Sequence, residues 1–131
     1  MKSCKILIID DDEDDVQILS GAFVQSGLNE VQHVFSAMEA FIYLQTVDTE
    51  CLPKLIITDN FLPGISGKEF LADLKGMDKY KHIPVIILST TKSDNELDKY
   101  RDMGILDYLV KPSSYDEYVK VAADIKKKAG L

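Results

Sequence analysis

The stretch "KILIIDDDEDD" (5–15) sets four apolar residues, Ile6 to Ile9, directly against six consecutive acids, Asp10 to Asp15. Like charges packed this densely repel one another, so a folded domain must give them different environments. The apolar half is β-branched and suits a buried strand. The acids stand where a helix begins. Val16, Leu19 and Phe23 recur at helical spacing, and negative charge in a first turn complements the helix dipole. The run therefore divides. Asp10 and Asp11 close a strand and Asp12 is a turn or cap residue. Glu13 to Asp15 are expected to face solvent at the start of a helix that reaches about Gly27.

The same unit recurs along the chain. "CKILIID" (4–10), "EVQHVF" (30–35), "KLIITD" (54–59), "PVIILS" (84–89) and "DYLV" (107–110) read as strands. Three of them are nearly continuous Ile, Leu and Val, as expected of a parallel sheet covered on both faces by helices. The intervals are helical. Ser36 with Glu39, Ser66 with Glu69, Ser93 with Glu96 and Ser114 with Glu117 each form a Ser-x-x-Glu capping box, and each follows a strand. Gly27, Gly76 and Gly104 stand where helix C-terminal caps are wanted. The chain is thus α/β, with five strand–helix repeats, right-handed connections and one domain over residues 1–131.

Composition narrows the function classes. A net charge of −7 argues against nucleic acid, whose phosphates need a basic surface. No apolar run approaches the roughly 20 residues that cross a bilayer. Acids follow the first apolar run at once, which does not fit a signal peptide. Cys4 and Cys51 lack metal-ligand spacing and are expected to be free thiols in a reducing cytoplasm.

Ligands of open parallel sheets bind beyond the carboxyl ends of the strands. There the first strand ends in Asp10 and Asp11, the third in Asp59 and the fourth in Ser89, and Lys111 and Pro112 follow the fifth. Taken singly, each is most simply a turn or cap residue. One polar group per strand on one rim is harder to assign to turns. Three adjacent carboxylates stay ionised cheaply only around a cation, and an all-oxygen set suits Mg²⁺. A carboxylate in such a site can act as a nucleophile toward phosphorus, while Lys111 and Ser89 contact phosphoryl oxygens.

The motifs "LIIDDDEDD", "LIITDNFLPGISG", "IPVIILSTT" and "DYLVKP" resemble those of response regulator receiver domains, the phosphoacceptor modules of two-component signalling, over essentially the whole length. The resemblance implies a flavodoxin-like (βα)5 three-layer sandwich with strand order 2-1-3-4-5. It implies that Asp59 is the phosphoacceptor. Asp10 and Asp11 would hold Mg²⁺ with Asp59 and the backbone carbonyl of Phe61, Ser89 would be the switch hydroxyl, and Lys111 would bind the phosphate. Tyr108 matches the aromatic residue that turns inward on activation; its structural alternative is a half-exposed strand tyrosine. Expected partners are a sensor histidine kinase and a protein target or histidine phosphotransfer protein. The chain would be a monomer, or a homodimer through the last strand and its flanking helices.

Departures from the family pattern lie around the acceptor. Phe61 stands where many members carry a polar residue that influences water attack, which implies slow self-dephosphorylation. Thr90 replaces a small residue and Thr91 an acid or amide; "LSTT" resembles stand-alone receivers associated with phytochrome-type kinases. Three other readings compete. An Mg²⁺-dependent phosphatase with an aspartyl nucleophile would want an acid at position 61 and a cap insertion. A flavin mononucleotide carrier would want a Ser/Thr/Gly-rich loop where the acids stand. A receiver-like module that binds partners without phosphorylation would not need the five site residues.

Other residues read as structural. His33 and His82 have no partner at ligand spacing, and the lysines of "DIKKKAG" suit a helix C-terminus. Met38, Met77 and Met103 are expected to pack. Tyr100, Tyr108, Tyr115 and Tyr118 are expected to cluster around the last two helices and the fifth strand.

Overall fold

A computed structural model describes residues 4–91 and 93–131. Met1 to Ser3, which belong to the stretch weighed as a leader, lie outside the described residues. In chain order the elements are β1 (Ile6–Ile9), α1 (Glu13–Gln25), β2 (Val31–Val34), α2 (Ala37–Thr46), a 3-10 turn (Thr49–Cys51) and β3 (Leu55–Thr58), then α3 (Gly67–Lys75), β4 (Val85–Ser89), α4 (Asp94–Asp102), β5 (Asp107–Val110) and α5 (Tyr115–Lys128). The strands pair in parallel in the order β2-β1-β3-β4-β5. This is the flavodoxin-like arrangement expected from the sequence. Among the described residues no helix is long and apolar enough to cross a membrane.

Alternation along the strands builds two cores. Ile6 and Ile8 of β1 and Leu55 and Ile57 of β3 face α1 and α5, meeting Leu19, Phe23 and Ile125. Leu7, Ile9 and Ile56 face the other layer, meeting Leu44, Phe70 and Tyr100. All four residues of β1 and of β3 are buried, which accounts for the unbroken apolar runs Ile6 to Ile9 and Leu55 to Ile57. Full burial of such a side chain contributes about 1.5–3 kcal/mol.

Helix starts follow the sequence with one refinement. Ser36, Ser66, Ser93 and Ser114 each accept a hydrogen bond from the backbone N–H of the glutamate three residues on. The reciprocal glutamate bond closes the box at Ser66 and Glu69. At α1 the cap is Asp12, whose carboxylate accepts from the Asp15 N–H. Gly27 and Gly104 take the left-handed conformation expected after a helix, whereas Gly76 caps α3 in right-handed geometry. Gly67 is needed for another reason. A Cβ there would come within 2.8 Å of both the Asp59 carbonyl oxygen and the Tyr100 hydroxyl, so the start of α3 approaches β3 only without a side chain.

Two packing expectations are corrected. Met77 and Met103 pack against the core, but Met38 is 74% exposed. The four tyrosines do not form one cluster. Tyr100 and Tyr108 stack with centroids 5.5 Å apart, while Tyr118 belongs to the opposite layer with α1, and exposed Tyr115 bonds Gln25. Cys4 and Cys51 are both free, and Cys4 accepts a hydrogen bond from the Tyr43 hydroxyl.

Candidate functional site

Register decides what meets at the carboxyl edge. Ile9 pairs with Thr58, so Asp10 and Asp59 leave adjacent strands side by side. The backbone N–H of Asp59 still donates to the Ile9 carbonyl at 3.1 Å, and that of Asp10 to the Val34 carbonyl at 3.1 Å. Ser89 pairs with Val110, and the N–H of Lys111 donates to the Ser89 carbonyl at 2.7 Å. By strand alternation Asp10 and Asp59 continue the α1/α5 face set by Ile8 and Ile57, beneath the start of α1.

Asp10, Asp11 and Asp59 each offer a carboxylate oxygen, and these oxygens lie within 4.8 Å of one another. Asp10 is buried, Asp59 half-buried and Asp11 exposed. Lys111 reaches into the group from β5. Its Nζ lies 2.8 Å from Asp10 Oδ2, 2.8 Å from Asp15 Oδ2 and 3.0 Å from Asp59 Oδ2, with its side chain 6% exposed. Asp15 is therefore a correction. Expected to face solvent, it turns inward to share the lysine. It precedes buried Val16 and lies one turn before buried Leu19, at the margin of the apolar stripe of α1.

The charges do not balance. Among the described residues one ammonium stands with four carboxylates, which leaves the rim negative. Burial pushes the Asp10 carboxyl above its ordinary range, and the hydrogen bond from Lys111 only partly opposes this. Burial alone would pull Lys111 down, but hydrogen bonds to Asp10, Asp15 and Asp59 outweigh it and push the ammonium above its usual range. Lys111 thus stays charged throughout the neutral range. The remaining negative charge, presented only by oxygens, suits a hard divalent cation. The acidic cluster is thus chemically fit to bind a metal.

On the other side of Asp59 lie groups the sequence reading placed and groups it missed. Ser89 is fully buried, and its hydroxyl makes no hydrogen bond of normal geometry among the described residues. Such an orphan normally costs about 1–3 kcal/mol, so its retention suits a group that acquires a partner in another state. Tyr108 is not a half-exposed strand residue. It is buried, with its hydroxyl donating to the Thr91 carbonyl at 2.6 Å, and burial pushes its phenol above the ordinary range. The Phe61 side chain is 62% exposed, while its N–H lies 3.3 Å from Asp59 Oδ1.

The missed groups form a polar link behind Asp59. Buried Asn60 accepts a hydrogen bond from Tyr100 of α4 and donates to Glu96 Oε2 at 3.4 Å. Lys68 of α3 pairs with the same glutamate at 2.7 Å, and this hydrogen bond holds Glu96 below the usual carboxylate range. The residue next to Asp59 is thereby tied to α4. An asparagine after a strand reads as a turn residue, so only the inward position of Tyr100, three residues after Leu97, hinted at it.

A family model described as the response regulator receiver domain matches residues 6–123. Two-component response regulator ORR13 of Oryza sativa subsp. japonica is 31% identical over 112 residues, covering 86% of this chain and 89% of that protein. The probable methanogenesis regulatory protein FilR2 of Methanothrix harundinacea is 27% identical, covering 92% of this chain and 80% of its own length. The crystal structure of the phosphorylated cyanobacterial phytochrome response regulator RcpA superimposes with a TM-score of 0.84 at 28% identity, covering 95% of this chain and 92% of that one.

Proposed function

The chain belongs to the response regulator receiver domain family, and we propose that it accepts a phosphoryl group from a sensor histidine kinase onto Asp59. One observation carries this reading: the rim brings Asp59 within 3.0 Å of buried Lys111 and within the same 4.8 Å cluster as Asp10 and Asp11. Asp10, Asp11, Asp59 and the carbonyl of Phe61 would hold Mg²⁺, which when bound supplies positive charge to the incoming phosphoryl oxygens.

The chemistry assigned to the chain's own residues is short. A carboxylate oxygen of Asp59 attacks phosphorus, the bond from phosphorus to the histidine nitrogen breaks, and the imidazole, protonated from solvent on its other nitrogen, leaves as the neutral ring. The product is an acyl phosphate on Asp59. Lys111 then exchanges a carboxylate contact for a phosphoryl oxygen, and the buried Ser89 hydroxyl donates to another. Movement of Ser89 toward the phosphoryl group would favour the inward position that Tyr108 already holds here, biasing a two-state equilibrium of β5 and α4. The domain acts as a cytoplasmic switch that is modified and reset, with a protein contact or relay to a histidine phosphotransfer protein as its output. Incubation with Mg²⁺ and acetyl phosphate is expected to add one phosphoryl group by intact-mass measurement; no addition would overturn the reading.

Two further outcomes follow from the site. Mg²⁺ is expected to raise the melting temperature, by about 2.7 kcal/mol of stabilisation at a hundredfold excess over its Kd. Because the folded Asp10 pKa is raised, that carboxyl favours folding below its unfolded value and loses this contribution as pH rises through the folded value. The Mg²⁺ gain should therefore be full at neutral pH and fade as acidification protonates Asp10. A thermal-shift series against pH checks this, and no shift at millimolar Mg²⁺ would contradict the ligand assignment.

The second outcome concerns Phe61. An exposed apolar side chain beside Asp59 cannot orient a hydrolytic water. Phosphorylated protein separated from its donor is expected to keep its label well beyond seconds, and Phe61→Asn to shorten that lifetime. Loss from the native protein within seconds would contradict this.

A further inference from the structure

Between α2 and the β3–α3 loop lies an apolar groove that the phosphotransfer chemistry does not use. Its volume is about 550 Å³. One wall is α2, which buries Ala37, Ala40 and Leu44 but turns Met38 and Ile42 outward, 74% and 55% exposed. These two lie four residues apart and form a single ridge. The other wall is Pro63 to Ile65 of the β3–α3 loop, which begins only four residues after Asp59. Met38 is therefore neither a core methionine nor an isolated surface residue. It belongs to a second apolar face on a helix whose first face is already packed.

The charge around this groove is one-sided. Along its whole length α2 carries one acid, Glu39, and no Lys or Arg. Glu39 stands next to Met38 on the exposed surface of α2. Across the groove α3 contributes exposed Asp73, with exposed Glu69 one turn earlier. The basic residues of α3 are occupied elsewhere: Lys68 pairs with Glu96 of α4, and Lys75 donates to the Lys81 carbonyl. An apolar groove with the carboxylate of Asp73 in its lining and exposed Glu39 beside it favours a cationic occupant. A second copy of this chain on the same face would set Glu39 and Asp73 against identical acids. Nucleic acid and anionic membranes are repelled for the same reason.

We propose that the groove between α2 and the β3–α3 loop docks a cationic amphipathic helix of a partner protein, with apolar residues on the Met38–Ile42 ridge and flanking Lys or Arg against Glu39 and Asp73. Helix-in-groove recognition of this kind is read by anchors at i, i+3, i+4 and i+7. The site is separate from the phosphotransfer reading, and binding is measured without phosphorylation, so the two can fail independently.

The test is an amide-shift NMR titration of the Asp59→Asn protein with a synthetic Leu/Lys peptide patterned at that spacing. A Leu/Glu peptide of the same pattern is run in parallel. Shifts are expected to concentrate on α2 and residues 61–66 and to weaken with salt. The Met38→Gln/Ile42→Gln protein alters only exposed positions without changing the charge, and its fold is verified by circular dichroism. It should bind the Leu/Lys peptide at least about tenfold more weakly, the scale of losing one interface anchor. Charge reversal by Glu39→Lys/Asp73→Lys should move the preference toward the Leu/Glu peptide. Shifts confined to the acids of α1, equal binding of both peptides, or native affinity in the Met38→Gln/Ile42→Gln protein would overturn the proposal. So would self-association in sedimentation that Ile42→Glu abolishes, which would make a second copy the occupant.

Discussion

Replacing Asp59 by Asn is expected to reduce acyl-phosphate formation from acetyl phosphate to background in a mass-shift assay. The amide keeps the shape of the carboxylate but lacks the anionic oxygen that forms the bond to phosphorus. Loss of fold is not expected to explain the result. Lys111 retains Asp10 and Asp15 at 2.8 Å each, and the substitution removes one charge from a crowded acidic rim. The variant should therefore melt within a few degrees of the native protein. A variant that still gained one phosphoryl group would move the acceptor to another residue.

Lys111→Met is expected to have the second largest effect, and on two readouts at once. Methionine fills much of the aliphatic stem but removes the one ammonium shared by Asp10, Asp15 and Asp59. Leaving buried carboxylates without their partner costs about 3–5 kcal/mol. The folded Lys111 pKa is raised, so its stabilisation is complete below the unfolded value and is lost only as pH rises through the folded one. The deficit should therefore be constant across neutral pH in urea denaturation, and Mg²⁺ should recover more stability in the variant than in the native protein. In Mg²⁺, phosphorylation should fall by about 10²–10³, the scale of removing one donor to a developing charge. Native-like rates in a folded Lys111→Met protein would contradict a phosphate-binding role.

Much of the fold was legible because its determinants are local. Unbroken apolar runs such as Leu55 to Ile57 reflect strands buried on both faces, and the four serine caps mark helix starts through bonds that span three residues. Asp10, Asp11, Asp59, Ser89 and Lys111 could be named because a parallel sheet delivers the residue after each strand to one rim. What could not be read depends on contacts between elements distant in sequence. Asp15 turned inward because Lys111, ninety-six residues later, comes to rest beneath the first turn of α1. Asn60 matters because Tyr100 and Glu96 of α4 arrive beside it. Met38 matched a packing residue in type and helical position, but the neighbours that would have covered it are not there. Helical spacing identifies a face, not what meets it.

The acids at the end of the first strand now have separate tasks. Asp10 and Asp11 belong with Asp59 in one oxygen cluster, Asp12 caps α1, and Asp15 shares Lys111 with the cluster. The most direct test of this division locates the phosphoryl group. Native protein phosphorylated in Mg²⁺ is reduced with borohydride, which converts an aspartyl phosphate to homoserine, and the peptides are sequenced by mass. The predicted result is homoserine at position 59 alone, absent when Mg²⁺ is chelated. Homoserine at position 10, 11 or 15, or a stable phosphate on a hydroxyl residue, would contradict it.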